Sequence, residues 1–592
     1  MNLLLISIHI EDSIRAVPLG PAMLASAVNR HFGERIDASV VNFYLEQSVE
    51  ECVKSIIDSG AGYVGFSMFV WNRNRVLEIV ESLKSLKSET VLFAGGPEAT
   101  AAYDDLIELP CFDFIVKGEG EEILVNVFEY FLQDEKMEKV KELAALPLAP
   151  DLDRLPSPFL DGTLDPDDYS GLLWELSRGC PFKCDFCFES RGTAGIRRFS
   201  IDRIKRELEL FKERNVEEVF VLDPTFNYNR ETAKEILRLI IEMDTGIHFS
   251  FEVRSEFLDE EMAELFSKVS CSLQIGLQSS DVAVLESINR KMDPADFKEK
   301  VLLLHQNQVV YGFDLIYGLP LDTLEGFRRS LDYALGMVPN HIDIFPLSIL
   351  PGTRLHETAP TFDMKYLKDN PYTVISTPTF SEADMSRAAE LAASCETFYN
   401  EGKAVPWFSI ILETLEMLPS EFLSEFCRWN KEQTQISENV FERQRRFLIY
   451  IFESKMSNSE LGEIASDIAA YFGYTALLME NENELPLDIG EDCLYVLNPD
   501  SCFVKLTHDP VALEELMYSG ITNINDLPSV LQEVENEVLF FMNENQLDLR
   551  FLTDSQKKLL KSLENGLSEV PENGDLREFF FSCIEDNIVW QR

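Results

Sequence analysis

The sequence predicts an α/β chain in three parts, and three observations predict it. Short apolar runs alternate with amphipathic stretches over residues 1–145. Six further strand-like runs, separated by helical patterns, follow from residue 172. Beyond about residue 375 the pattern turns mostly helical and acidic. In the first part LLLISI (3–8), SVVNF (39–43), YVGFSM (63–68), VLFAGG (91–96) and FDFIVKG (112–118) read as strands, with helical patterns such as 73–87 and 121–132 between them. Buried strands alternating with helices give a parallel sheet covered on both faces, here a Rossmann-like doubly wound sheet over 1–145. Ligands on such sheets sit at the carboxyl ends of the strands, near Ser7, Ser67 and Gly95–Gly96.

A proline-rich segment, LPLAPDLDRLPSPFLDG, opens a linker assigned to 146–171. The runs LLWELS, EVFVLD (218–223), HFSFEV (248–253), SLQIGL (272–277), GFDLIYG (312–318) and HIDIFPL (341–347) then alternate with helical stretches at 200–214, 230–243, 294–307 and 323–336. Six strand–helix units predict a partial (β/α)6 TIM-type barrel over 172–370. Residues 371–592 form a mainly helical domain, with one strand run at CFVKLTH (502–508).

At 592 residues the chain exceeds a single core. Its 103 acidic residues against 52 basic ones give a formal charge of −51, which opposes a phosphate backbone, so no nucleic-acid partner is expected. No stretch approaches the roughly 18 apolar residues of a membrane span. The opening MNLLLISIHIEDSIR has no basic leader and meets Glu11 and Asp12 early, so it reads as a buried strand. The eleven cysteines are mostly scattered singly, as expected of a cytoplasmic, reducing environment.

Three cysteines break that scatter. Cys180-Pro-Phe-Lys-Cys184-Asp-Phe-Cys187 directly follows the first barrel strand, where barrel enzymes place their chemistry. Iron–sulfur clusters normally take four thiolates, so a tight loop offering three leaves one iron open to a small ligand. A zinc knuckle is the alternative, but no further Cys or His lies nearby at zinc spacing.

This CxxxCxxC pattern, with Phe186 as the aromatic residue before the last cysteine, resembles the hallmark of the radical S-adenosylmethionine (SAM) superfamily. RGCPFKCDFC, DPTFNYNR (223–230), IGLQSSDVAVLESINRK (275–291), DLIYGLPLDTLEGF (314–327) and PLSILPGTRL (346–355) resemble successive blocks of its cobalamin-binding branch. The resemblance implies a 4Fe-4S cluster on Cys180, Cys184 and Cys187 that cleaves SAM to a 5′-deoxyadenosyl radical. It implies SAM contacts from Phe186, Asp223, Glu252, Arg254 and Gln278. An Arg beside a Glu at a strand end also suits the two charged ends of an amino acid.

The sheet segment is similar to the cobalamin-binding domains that precede such cores, through AGGPEAT (94–100) and VKGEGEEIL (116–124). Ser67, Gly95 and Gly96 are the implied cobalamin contacts, the glycines allowing close backbone approach. The best-known cobalamin domains carry Asp-x-His-x-x-Gly after the first strand. Here that loop reads Ser7-Ile-His9-Ile-Glu11-Asp12, so His9 lacks its orienting carboxylate and is not expected to ligate cobalt. Residues 118–121, GEGE, read as a turn entering the next helix.

PYTVISTPTFSEADM (371–385) and ETFYNEGKAVPWF (396–408) resemble the start of an uncharacterised helical domain appended to these proteins. Cys427, Cys493, Cys502 and Cys583 show no ligand spacing. The expected function is a cobalamin-dependent radical SAM methyltransferase acting on an unactivated carbon of a small molecule or peptide, reduced by a donor such as flavodoxin or ferredoxin. A cyclase or rearrangement enzyme with the same cofactors is the alternative. A methylthiotransferase is disfavoured, because Cys52 and Cys111 do not supply extra cluster ligands, and a simple cobalamin or SAM sensor would have no use for an open iron.

Overall fold

The computed structural model describes residues 1–591 apart from 14, 87–88, 134–135, 147, 190–194, 434–438, 481–494, 544–545, 564–566, 568 and 572–573, so Cys493 lies outside the described residues. The chain divides into two compact units, residues 1–330 with 343–388 and residues 331–342 with 389–592.

The first unit opens with strands β1 (Asn2–His9), β2 (Asp37–Tyr44), β3 (Tyr63–Ser67), β4 (Val91–Gly95) and β5 (Phe114–Ile115), hydrogen-bonded in the order β2-β1-β3-β4-β5. All four pairings are parallel. Between them run helices α1 (Leu19–Phe32), α2 (Val49–Asp58), α3 (Arg73–Leu86), α4 (Pro97–Ala101), α5 (Tyr103–Ile107) and α6 (Gly120–Leu132). The period-two alternation of β1 explains why both faces are covered. Leu4, Ile6 and Ile8 pack with Val53 of α2 and Val76, Ile79 and Leu83 of α3. Leu3 and Leu5 pack on the other side with Val28 of α1 and Leu124 and Phe128 of α6. The doubly wound sheet is therefore present. Its strand order reverses between β1 and β3, which opens a crevice at their carboxyl ends.

Asn72 spans that switch point. Its fully buried amide donates to the carbonyls of Ile8 (3.1 Å), at the end of β1, and Ser67 (3.0 Å), at the end of β3. Its Oδ1 accepts from the Phe69 amide at 2.8 Å.

The second layer of this unit is the barrel sheet. Strands β6 (Gly171–Trp174), β9 (Glu218–Val221), β10 (His248–Val253), β11 (Cys271–Gln278), β12 (Val310–Tyr317) and β13 (His341–Pro346) lie side by side in chain order, and β6 and β13 end the sheet unpaired with each other. Pairings from β6 through β12 are parallel. This is the open six-stranded barrel that the alternation predicted. A short antiparallel ribbon, β7 (Ser177–Arg178) with β8 (Arg197–Arg198), leaves the end of β6.

The second unit begins with helices around an aromatic core in which Phe398 packs against Phe422, Phe426 and Phe447. Strand Ser501–His508 follows the predicted run and pairs antiparallel with Glu533–Asn543, which pairs in turn with Gln546–Phe551. The last two strands carried no expectation from the sequence. Asp467 fastens this sheet to helix Ser459–Glu480, accepting from the amides of Thr507 (2.8 Å) and His508 (2.9 Å). Among the described residues no helix is long and apolar enough to cross a membrane.

Replacing Asn72 by Ala removes one donor from each of two carbonyls, Ile8 keeping only Trp71 Nε1 at 3.3 Å among side chains, and the acceptor of the Phe69 amide. The expected cost is about 1–3 kcal/mol, read as a lower thermal midpoint, whereas an unchanged midpoint would show that the crevice does not depend on this amide.

Candidate active site at the cysteine loop and sheet crevice

The cysteine loop leaves the ribbon formed by β7 and β8, where Ser177 faces Arg198 and Arg178 faces Arg197. Cys184 is buried, and Cys180 and Cys187 are partly exposed. Burial pushes the Cys187 thiol up to about 12. Among the described residues no group of three or more His, Cys, Asp or Glu side chains forms a single-ion site.

Four contacts fix the loop. Asp223, at the end of β9, accepts the amides of Leu176 (3.0 Å) and Ser177 (2.9 Å) on Oδ1 and the Ser177 hydroxyl (2.6 Å) on Oδ2. This carboxylate therefore roots the loop. The Asp185 amide donates to Ile288 (2.9 Å), the Leu355 amide to the Asp185 carbonyl (2.7 Å), and the Asn289 side chain to the Lys183 carbonyl (2.6 Å).

Among the described residues, buried polar atoms without partners surround this loop. Arg290 is buried, with Nη1 3.9 Å from Cys184 Sγ and Nη2 on the Gly276 carbonyl, yet its Nε has no partner. Arg254 stacks 3.7 Å over Phe182 and pairs with Glu256 at 2.6 Å, and its Nε is also unpartnered. Asn227 grips the Arg254 backbone on both sides, at 2.9 and 3.0 Å. Gln278 sits at an irregularity of β11 with φ +61° and an unpartnered Oε1. Phe186 lies half-buried within the loop itself.

Glu252 projects from the face of β10 opposite buried Phe249, Phe251 and Val253. It does not pair with Arg254, whose partner is Glu256. Surrounding protein, with Asp314 and Glu189 nearby, pushes its carboxyl up to about 7. Asp314 on β12 is pushed up to about 6 by burial, drawn back by the Gln274 amide and raised again by Asp343. Gln274 bridges Asp314 and Asp343, the latter at 2.9 Å. Sequence reasoning missed Arg290 and Asp314. Both stand in blocks quoted above, Arg290 in INRK after the polar stretch ESIN and Asp314 as the one charge inside the apolar run of β12.

The sheet crevice holds a cavity of about 320 Å³. Leu5, Gly65 and Phe93 form its floor, Leu24 of α1 and Leu124 of α6 its sides, and Ser67, Gly95 and Gly96 its rim. A Cβ on Gly65 would lie 2.4 Å from Phe93 Cζ, so the floor admits only glycine there. Gly96 has φ +101°, and a Cβ on it would meet the Met68 carbonyl oxygen at 2.9 Å. His9 does not line this cavity, and its Nε2 lies 3.3 Å from Asn42 Oδ1. Glu119 and Glu121 of the GEGE turn do line it, together with Glu175 and Arg178. Arg178 holds Glu119 (2.9 Å), Glu121 (2.6 Å) and Glu175 (2.7 Å) at once. GEGE does enter a helix, as expected, with Glu119 preceding α6, but its carboxylates also bind an arginine two residues before Cys180.

A large apolar slot under a glycine rim, and unpartnered donors and acceptors round three thiols, define a two-cofactor α/β protein. Family models give the same division: "B12 binding domain" matches residues 15–128, "Radical SAM superfamily" residues 174–334, and a protein of unknown function (DUF4080) residues 360–495. The chain thus carries a B12-binding domain, a radical SAM domain and a DUF4080 region. Its cofactors are a 4Fe-4S cluster, S-adenosylmethionine and cobalamin.

The cobalamin-dependent radical SAM methyltransferase TokK of Streptomyces tokunonensis is 27% identical over 346 residues, 53% of this chain and 50% of TokK. The 2-(S-pantetheinyl)-carbapenam-3-carboxylate methyltransferase of Streptantibioticus cattleyicolor is 26% identical over 383 residues, 58% of this chain and 55% of that protein. The chain therefore spans about half the length of these relatives. The cobalamin-dependent radical enzyme OxsB, solved with aqua-cobalamin and S-adenosylmethionine, shares the fold at a TM-score of 0.53 with 13% identity, covering 79% of this chain and 74% of OxsB.

Glu252 gives a pH signature of the protein before cofactor loading. Between its ordinary 4.5 and about 7 the folded chain keeps a proton that the unfolded chain has lost, so stability falls as pH rises through that window. Glu252→Gln removes the effect. The variant is expected to melt above wild type at pH 8 and level with it near pH 4.5; equal midpoints at pH 8 would place Glu252 in open water.

Proposed function

We propose that the chain is a cobalamin-dependent radical SAM methyltransferase acting on an unactivated carbon of a small molecule or peptide. One observation carries this reading: the wall that closes the sheet cavity, Arg178 with Glu119 and Glu121, is also the root of the cysteine loop. A cobalamin whose tail enters that cavity and a cluster on that loop would share this wall. When bound, the cluster supplies an electron to the sulfonium of SAM, and cobalamin supplies a carrier for its methyl group.

The residues divide the work. Cys180, Cys184 and Cys187 would hold three irons and leave the fourth for the amino-acid end of SAM. The unpartnered Nε atoms of Arg254 and Arg290 suit its carboxylate. Glu252 suits its ammonium, whose arrival would draw the raised carboxyl back to the charged form. Gln278 Oε1 offers an acceptor for a ribose hydroxyl. Asp223 acts through the loop, since its oxygens already hold Leu176 and Ser177. Ser67, Gly95 and Gly96 would border the cofactor tail, with Gly65 and Phe93 beneath it. His9 would not hold cobalt, since it does not line the cavity and its Nε2 lies against Asn42.

The reductant would be a low-potential carrier such as flavodoxin or ferredoxin. Outside the cysteine loop, Cys52, Cys111, Cys271, Cys395, Cys427, Cys502 and Cys583 are free thiols, which suits a reducing cytoplasm.

Two tests follow. Replacing Cys180, Cys184 and Cys187 together by Ala should abolish iron and sulfide binding and 5′-deoxyadenosine formation; a full cluster absorbance in that variant would remove the assignment. Leu24→Trp fills the slot from α1 and should weaken cobalamin uptake by roughly tenfold, about 1.4 kcal/mol, with iron content unchanged. The reaction itself is settled by stoichiometry under anaerobic, reducing conditions with methyl-labelled SAM. A methyltransferase yields one S-adenosylhomocysteine and one 5′-deoxyadenosine per labelled product. Label-free product with 5′-deoxyadenosine alone identifies the cyclase or rearrangement reading instead.

A further inference from the structure

Arg178 belongs to two sites at once. Each of its three guanidinium nitrogens holds a different carboxylate: Nε holds Glu175 at 2.7 Å, Nη1 holds Glu119 at 2.9 Å and Nη2 holds Glu121 at 2.6 Å. The other oxygen of Glu119 is held by Arg197, which faces Arg178 across the ribbon. Both strands that bracket the cysteines therefore end on one carboxylate of the sheet domain, while Arg197 also donates to the Pro150 carbonyl at 2.8 Å. Among the described residues no donor reaches the second oxygen of Glu121 or of Glu175, although both residues line the cavity. A corrin ring is fringed with carboxamides, whose N–H groups are donors, and carboxylate acceptors make such bonds strong.

Resting on the cobalamin reading above, the geometry points to Arg178 as a coupling residue through which cobalamin and SAM tighten each other's binding. A corrin donating to Glu121 and Glu175 fixes the two carboxylates that set the guanidinium. The guanidinium in turn fixes the backbone two residues before Cys180, and with it the loop on which SAM is held. Arg178 touches no reacting atom, so it is a positioning residue. Only a planar fork can grip three carboxylates in this way; a lysine offers one point charge. Coupling of this kind is reciprocal and typically changes affinity by 5–150-fold.

The test uses full-length, cluster-reconstituted protein kept oxidised, so that SAM binds without turnover. SAM affinity is measured with and without hydroxocobalamin, and hydroxocobalamin affinity with and without SAM. Wild type is expected to show the same enhancement, at least about fivefold, in both directions. In Arg178→Lys and in Glu121→Gln that ratio should fall to within about twofold of unity, while iron per chain is retained and hydroxocobalamin still binds. A wild-type ratio of one, or a wild-type ratio preserved in Arg178→Lys, overturns the proposal. Loss of iron in both variants also overturns it, since Arg178 would then only support the loop. Failure of wild type to take up hydroxocobalamin at all refutes the cobalamin reading itself, a different result from uptake without coupling.

Discussion

The geometry of the first unit depends on a largely enclosed charge cluster, Arg178 with buried Glu121 and half-buried Glu119 and Glu175. Taking such charges out of water is costly, and the attraction between them repays it only where hydrogen bonds are nearly complete. Here the guanidinium meets that condition, with every nitrogen paired to a carboxylate. Hydrophobic contacts would have held the sheet domain and the barrel together with some freedom to slide. A three-way ionic fork sets direction as well as distance, which suits a reaction in which two cofactors must address one carbon.

A second buried cluster fixes the same two layers from the far side of the crevice. Arg73 donates to Glu98 at 2.6 Å and to the Tyr372 hydroxyl at 3.0 Å, and Asn370 donates to the Val70 carbonyl at 2.9 Å. Glu98 opens α4 directly after the glycine rim, and Tyr372 follows the last barrel strand. The crevice is thus fixed on both flanks by polar contacts between segments some 300 positions apart. Its floor stays apolar, so a large organic cofactor can displace water there without leaving polar groups unpaired.

Much of this was legible in the sequence because the signals were local. The short apolar runs of β1 to β5, alternating with helical stretches, marked the sheet, and the eight-residue Cys180–Cys187 spacing marked the loop. The resemblance of the flanking blocks identified the cofactors. What stayed hidden depended on distant partners. GEGE obeyed every rule for a turn entering a helix, and nothing near it announced an arginine 57 positions away. Asp223 was assigned to SAM from its place in a block, whereas its oxygens meet Leu176 and Ser177, more than 40 positions earlier. Glu252 and Arg254 read together as contacts for the two ends of an amino acid, and nothing in their spacing announced that Glu256 also takes the arginine. In the C-terminal unit, strand Glu533–Asn543 begins with EVENE, whose acids masked the apolar VLFF behind them.

The rooting of the cysteine loop bears on how such a protein is built and maintained. Asp223, Ile288, Asn289 and Leu355 hold the loop through bonds that involve no iron. Small zinc domains, by contrast, owe their fold to the metal. A loop shaped by its own chain can accept its cluster after synthesis and survive the loss of it. Oxygen would then damage the inorganic part and leave the polypeptide as a receptacle for a replacement, so that a cell leaving air could restore its existing protein instead of making it anew.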